Sequence, residues 1–249
     1  PLAQCQKLAS ENNFILVEDA SHSPGASTPD DQEGTISSCS GIHALASTLS
    51  FHPVKHICAG EGGAVLTNDL HVAQKALRLR SHGINRPFTE TDDMPWYYEQ
   101  ESLGWNYRLT DLQATLGLSQ LSRLDDFLAK RRKLARRYDQ RLRESPFQEH
   151  INCPPFERGH AWHLYIIRFK DESLRNLAYK YLKSKNILTQ VHYIPVYKHP
   201  YYQKQKKGFQ LPGAEKFFQG CLSIPMYPDL KENEQDRVLE TLKQFLLKG

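Results

Sequence analysis

Three short stretches of this chain hold the residue types that nucleophilic and acid–base chemistry require. The first is Val17-Glu18-Asp19-Ala20-Ser21-His22, which sets a carboxylate close to an imidazole. The second is Ser50-Phe51-His52-Pro53-Val54-Lys55, running on to Gly60-Glu61-Gly62-Gly63. The third is Gly104-Trp105-Asn106-Tyr107-Arg108-Leu109. A lysine amine attacks a carbonyl only when its pKa is depressed. An isolated lysine is normally a solvated surface charge, but Lys55 follows a strand and precedes a glycine-rich loop. Asp19 closes an apolar run, and open α/β sheets bind ligands beyond the carboxyl ends of their strands. The plainer reading of such an Asp is a helix cap or loop carboxylate. Glycines 60–63 fit either a tight turn or a close approach of backbone to a bound group.

The elements that must position these residues can be read from periodicity. Leu2, Cys5 and Leu8 recur at helical spacing, predicting a helix over Leu2 to Asn12. Phe14 to Val17 is a short apolar run, which predicts a strand buried on both faces of a parallel sheet. A Gly/Ser/Asp-rich loop covers Ser21 to Gly34, and further strands are expected at Ala44 to Phe51 and Ala64 to Thr67. A helix over Val72 to Ser81 leads into a loop holding Pro87, Pro95, Trp96, Tyr97 and Tyr98. Thr110 with Gln113 forms a capping box, opening one long helix with Leu109, Leu112, Leu116, Leu121, Leu124 and Leu128 as its apolar stripe. Its end, Lys130 to Arg143, is basic, and flanking acids with few interleaved aromatics make that run a solvated helix face rather than a nucleic-acid site. After Ser145-Pro146 a βαβ-like tail is expected: a strand at His163 to Phe169, a helix at Leu174 to Lys185 and a strand at Thr189 to Pro195. Helices at Ala214 to Cys221 and Glu232 to Leu247 follow, and His199 to Gly208 reads as an exposed loop.

Composition excludes several classes. With 39% hydrophobic residues, 12 Tyr, 11 Phe and 3 Trp, the chain is too apolar to be disordered. It has no uncharged apolar run of the ~20 residues that span a bilayer. A net charge of +4 demands no nucleic-acid partner. Five scattered cysteines without a C-x-x-C pair argue for reduced thiols in the cytoplasm. His160 and His163 have i, i+3 spacing but lack evident further ligands, so no metal is expected.

In order and spacing, the three stretches resemble the DegT/StrS family of pyridoxal-phosphate (PLP) sugar aminotransferases. Ser50 to Gly63 together with His192-Tyr193-Ile194-Pro195-Val196 is most similar to the nucleotide-sugar 4-aminotransferases of pseudaminic acid synthesis. The resemblance implies an α/β fold of the PLP-dependent transferase kind (aspartate aminotransferase-like, fold type I). Residues 1–115 would be the C-terminal part of the large domain, and residues 116–249 the long helix with a small α+β domain.

It also implies the site. Lys55 would hold PLP and move the substrate's proton, Asp19 would face the pyridine nitrogen, and His22 would lie near the phenolic oxygen. Ser50 would hydrogen-bond the phosphate, and Asn106 would reach the phosphate of the neighbouring subunit's cofactor in a homodimer with a shared active site. His163, His192 and Tyr193 would line the sugar side, although single aromatics in strands are more often core. The implied reaction carries an amino group from L-glutamate to the 4-keto carbon of a UDP-linked 6-deoxy-N-acetylhexosamine, with neither membrane nor nucleic-acid partner. In the family, a phosphate cradle, a stacking aromatic and early strands come before the position of Asp19. A chain without them is expected to be a fragment of a full-length enzyme or the product of a gene that lost its beginning. Two alternatives stay open: a PLP-dependent sugar dehydratase, which would carry histidine in place of Lys55, and a non-catalytic remnant or partner subunit.

Overall fold

The computed structural model describes residues 2–29, 35–87, 93–204 and 210–247. These fall into two units, Pro1–Asp126 and Phe127–Gly249. In the first unit, helix α1 (Leu2–Asn12) forms as its periodicity predicts. Asn13 takes a left-handed φ of 54°, and the Phe14 amide returns to the Ala9 carbonyl at 3.0 Å, closing the helix end. That closure uses up Phe14 to Leu16, so strand β1 lies later than predicted, at Val17–Asp19. The expectation of burial on both faces also fails: Phe14, Ile15 and Val17 are exposed, Ile15 by 72%. Phe14 and Ile15 lie before the strand, and β1 stands at an edge of the described sheet. The sheet order is β1-β4-β5, with β4 at Ala46–Ser50 and β5 at Gly63–Leu66.

β1 and β4 run parallel, Asp19 opposite Thr48, as an α/β layout requires. β5 is antiparallel to β4, because residues 51–62 reverse the chain without a crossover helix. The stretch predicted as loop from Ser21 contains a short antiparallel pair, β2 (Ser27–Pro29) with β3 (Thr35–Ser37), and its residues 30–34 lie outside the described ones. Helix α2 (Leu70–Arg80) starts two residues before its predicted onset, capped by Asp69, whose carboxylate accepts from the Val72 amide at 2.8 Å. The loop that follows is flanked by a two-residue pair, β6 (Ile84–Asn85) with β7 (Glu99–Gln100).

The Thr110 capping box is present, with Thr110 Oγ1 accepting from the Gln113 amide and Gln113 Oε1 accepting from the Thr110 amide. The single long helix is not. It is split into α3 (Asp111–Leu121) and α4 (Leu124–Leu142). At the break Ser122 Oγ and Arg123 Nε both donate to the Ser119 carbonyl, and Asp125 and Asp126 follow, acids suited to a new helix N-terminus. The leucine stripe divides with it. Leu112 (86% exposed), Leu116, Leu118 and Leu121 lie open on α3, whereas Leu128 on α4 is buried.

The second unit holds the apolar core. Tyr138 and Leu142 of α4, Tyr165, Ile167 and Phe169 of β9 (Tyr165–Phe169), and Leu182 of α6 (Glu172–Ser184) pack with Leu222 of β10 (Cys221–Ile224) and Leu239 and Leu242 of α9 (Glu232–Leu246). Helix α5 (Phe147–His150) leads into β8 (Ile151–Asn152), and the sheet order is β10-β9-β8, antiparallel throughout. The tail is therefore α+β rather than a parallel βαβ unit. The strand expected at Thr189 to Pro195 shrinks to one bridge, in which Gln190 and Ser223 exchange backbone hydrogen bonds. The loop expected from His199 contains a helical turn, α7 (Pro200–Gln203), and its residues 205–208 lie outside the described ones. Helix α8 (Pro212–Gly220) precedes β10.

The basic run on α4 is only partly a solvated face. Arg131 is buried, its Nη1 3.0–3.1 Å from the carbonyl oxygens of Trp162, His163 and Met226, and burial lowers its pKa to about 10. Arg137 reaches Gln235 and Asp236 on α9, and Tyr138 donates to the Pro225 carbonyl. Positive charge here ties the helix to the segments it packs against.

Candidate active site

The first unit's sheet ends at the residues singled out for chemistry. The Ala20 amide donates to the Thr48 carbonyl at 2.9 Å, and Ala20 is wholly buried, so the chain leaves β1 in a fixed direction. One residue back, the Asp19 carboxylate accepts from the Ser21 hydroxyl at 2.5 Å and from the Ser21 amide at 3.1 Å. Hydrogen bonds to a carboxylate favour its ionised form. The Ser21 side chain is the largest influence lowering the Asp19 pKa; the Ser21 backbone adds to it, and the charges of His22 and Lys55 act in the same direction.

Lys55 is positioned by the loop after β4. Its amide closes a turn on the His52 carbonyl, and the Phe51 amide reaches back to the Gly62 carbonyl, each at 2.9 Å. The glycines are structural necessities of this loop. Gly62 has a φ of 143°, and a Cβ at Gly63 would stand 2.5 Å from the Leu49 carbonyl oxygen. Lys55 is half-buried, and burial lowers its pKa while the Asp19 charge opposes that shift. Asp19, His22 and Lys55 thus share one electrostatic neighbourhood. Ser50, the last residue of β4, lies opposite Gly63, and its hydroxyl accepts from the His52 amide at 3.4 Å.

The remaining predicted residues lie on other segments of the chain. Asn106 is exposed and held on a segment bonded to the end of α2: it bridges Ser81, and the Trp105 and Tyr107 amides donate to Leu79 and Arg80. His163, His192 and Tyr193 belong to the second unit. His163 is buried, and its carbonyl is one of the three around Arg131. His192 Nδ1 lies 2.7 Å from the Ser223 hydroxyl, and Tyr193 is exposed.

Sequence reasoning passed over Glu18. Its carboxylate accepts from the Ser38 hydroxyl (2.6 Å), the Cys39 amide (3.0 Å) and the Ser47 hydroxyl (2.7 Å), so it locks β1 to β4 and to the loop after β3 on the face opposite Asp19. The Glu-Asp pair at a strand end was the available signal, because alternation along a strand sends neighbours to opposite faces.

Asp19, whose pKa is lowered, and Lys55, whose amine is pushed down by burial, thus lie within reach of each other's charge near the parallel edge of a mixed sheet. Residues 1–243 match the DegT/DnrJ/EryC1/StrS aminotransferase family. The chain belongs to that family.

Among family relatives, the chain is 34% identical to the spore coat polysaccharide biosynthesis protein SpsC of Bacillus subtilis, over 96% of this chain and 61% of that protein. It is 32% identical to the UDP-4-amino-4,6-dideoxy-N-acetyl-beta-L-altrosamine transaminase of Helicobacter pylori, over 96% and 62%. The solved structure of Helicobacter pylori PseC, an aminotransferase of pseudoaminic acid biosynthesis, superposes with a TM-score of 0.87 at 29% identity, over 100% of this chain and 64% of that one. The PLP form of the sugar aminotransferase Spr1654 of Streptococcus pneumoniae gives 0.80 at 27% identity, over 97% and 60%. The chain therefore spans about 62% of the curated relatives it matches, and its fold is that of the fold type I transferases.

Proposed function

We propose that this chain carries the cofactor-holding core of a PLP-dependent aminotransferase that moves an amino group from L-glutamate to the 4-keto carbon of a UDP-linked 6-deoxy-N-acetylhexosamine. The observation that carries this reading is the pairing of Asp19 and Lys55: a carboxylate whose pKa is lowered and an amine whose pKa is lowered, each within reach of the other's charge. Both fit the group. A pyridinium nitrogen needs an acid that stays ionised, and covalent attachment of an aldehyde needs an amine that gives up its proton readily. When bound, PLP supplies an electron sink that makes loss of a proton beside the amino group feasible.

This chain's own residues do the rest. Lys55 Nζ would hold the aldehyde end and, when free, would take and return the substrate's proton. Asp19, kept anionic by Ser21, would favour a protonated ring nitrogen. His22, whose charge acts on Asp19, would lie near the ring's oxygen; Ser50 would hydrogen-bond the phosphate, and Asn106 would reach the phosphate of the neighbouring subunit's cofactor. His163, His192 and Tyr193 are assigned to the sugar side. The lysine itself favours amino transfer over the sister dehydration reaction, which would require a histidine at that position.

A homodimer in which Asn106 serves the partner's cofactor is supported by the exposed leucine face of α3. The five free cysteines support a reducing, cytoplasmic setting, and among the described residues no helix is long and apolar enough to cross a membrane. Titration of the protein with PLP tests the reading. A visible absorption band that appears with PLP, disappears on addition of L-glutamate and is missing in Lys55→Ala is expected. A band that survives Lys55→Ala contradicts the assignment.

A further inference from the structure

We propose that Ser38 is a positioning residue for the cofactor site: with Ser23 and Glu18 it ties down both ends of the arch from Asp19 to His22. The two groups on that arch are thereby fixed relative to each other, an inference that rests on the reading of Asp19 and Lys55 given above. Glu18 stands one residue before the arch and Ser23 one residue after it.

The two flanking side chains meet on a single hydroxyl. Ser38 Oγ lies 2.6 Å from Glu18 Oε1 and 2.8 Å from Ser23 Oγ. A serine hydroxyl has one proton to give. Ser38 gives it to the carboxylate, so Ser23 is the donor on the other side, and the hydrogen bonds run in one direction from Ser23 through Ser38 to Glu18. The end of this chain is anchored, because Glu18 Oε2 accepts from the Cys39 amide and from the hydroxyl of Ser47, a wholly buried residue of β4. The middle is anchored too, since the Ser38 amide donates to the Ala26 carbonyl at 2.8 Å.

The bonds within the arch do not do this work. Asp19 accepts from Ser21, two residues on, so those bonds move with the arch. The Ala20 amide holds the arch's beginning to Thr48, and the Ser23 amide only returns to the Ala20 carbonyl. The side-chain link from Ser23 to Ser38 spans 15 residues of sequence and ties the His22 end to the loop after β3. A cofactor-holding group that can shift loses part of the binding energy that pre-organisation supplies.

Titration with PLP, followed by absorbance and by visible circular dichroism, tests the role, because the dichroic band of bound PLP reports how its ring is seated. Ser38→Ala is expected to weaken PLP binding about fivefold, the worth of one hydrogen bond, and to change that band. Ser38→Thr, which keeps the hydroxyl, is expected to restore both. Ser23→Ala leaves every bond to Glu18 in place, is expected to act in the same direction, and carries the test where Ser38→Ala does not fold. The double variant Ser23→Ala/Ser38→Ala is expected to bind no more weakly than Ser38→Ala alone, since both residues act through one chain; additive losses overturn the proposal. A lowered Tm with PLP affinity and dichroism unchanged overturns it as well, leaving Ser38 a purely structural residue. A wild-type protein that takes up no PLP removes the Lys55 reading and this role together, whereas wild-type uptake that neither serine variant alters removes this role alone.

Discussion

At the scale of the residue, the account turns on how Ser21 and burial set two charges. The Asp19 pKa is lowered in the folded chain, first by the Ser21 hydroxyl. Asp19 therefore contributes stability above its unfolded pKa, and that contribution is lost as pH falls through the lowered folded value. Ser21→Ala removes the largest cause and leaves the backbone hydrogen bond. It is expected to shift the acid limb of PLP uptake to higher pH, as read by absorbance across a pH series; an unmoved limb would show that Ser21 does not govern the carboxylate. Lys55 has the opposite sign. Its folded pKa is lowered, chiefly by burial, so the ammonium is unfavourable in the folded state until pH rises through that value. Lys55→Met is then expected to abolish the visible PLP band without lowering Tm near neutral pH, as catalytic groups held at a stability cost often behave. A clear fall in Tm would mean that Lys55 is a structural residue.

At the scale of the element, the loop after β4 and the helix α4 are the two parts that cannot be altered freely. Gly63→Ala drives a Cβ into the Leu49 carbonyl, and backbone cannot give way cheaply there. It is expected to cost about 2 kcal/mol and to weaken PLP uptake, measured by urea melts and by titration of the absorption band; a neutral result would show that β4 and β5 are not tightly coupled. Arg131→Ala strips the donor from three carbonyls around a buried site and is expected to cost about 3 kcal/mol in the second unit. Thermal melting followed by tryptophan fluorescence would register it, and an unchanged melt would refute the pin.

These elements also show what could be read in advance. Asp19 drew attention because it closes a strand, and Lys55 because it lies in the turn-rich loop between β4 and the glycines; their roles remain proposals. The helix break at Ser122-Arg123 was not legible, because a leucine pattern continues across it and only the competition for the Ser119 carbonyl interrupts the ladder. The position of β1 slipped because Asn13 adopts a left-handed turn, which sequence patterning does not reveal. Arg131 was taken for one of a run of surface charges, since nothing local distinguishes a buried arginine from its exposed neighbours.

At the scale of the whole molecule, the described apolar surface is unevenly distributed. The buried cluster lies in the second unit, while Phe14, Ile15, Leu112 and Leu118 stand exposed in the first. Exposed apolar patches mark surfaces that other chain segments cover, which is the support for a homodimer built on α3. If the proposed dimer forms through α3, Leu118→Glu is expected to give a monomer in light scattering while leaving the second unit's fold intact, and a dimer that persists would contradict that placement of the contact. The central claim is narrower and can be reached directly. After incubation with PLP and treatment with borohydride, the protein is digested and its lysines are mapped by mass spectrometry. The account predicts the added pyridoxyl mass on Lys55; finding it on another lysine, or on none, would contradict it.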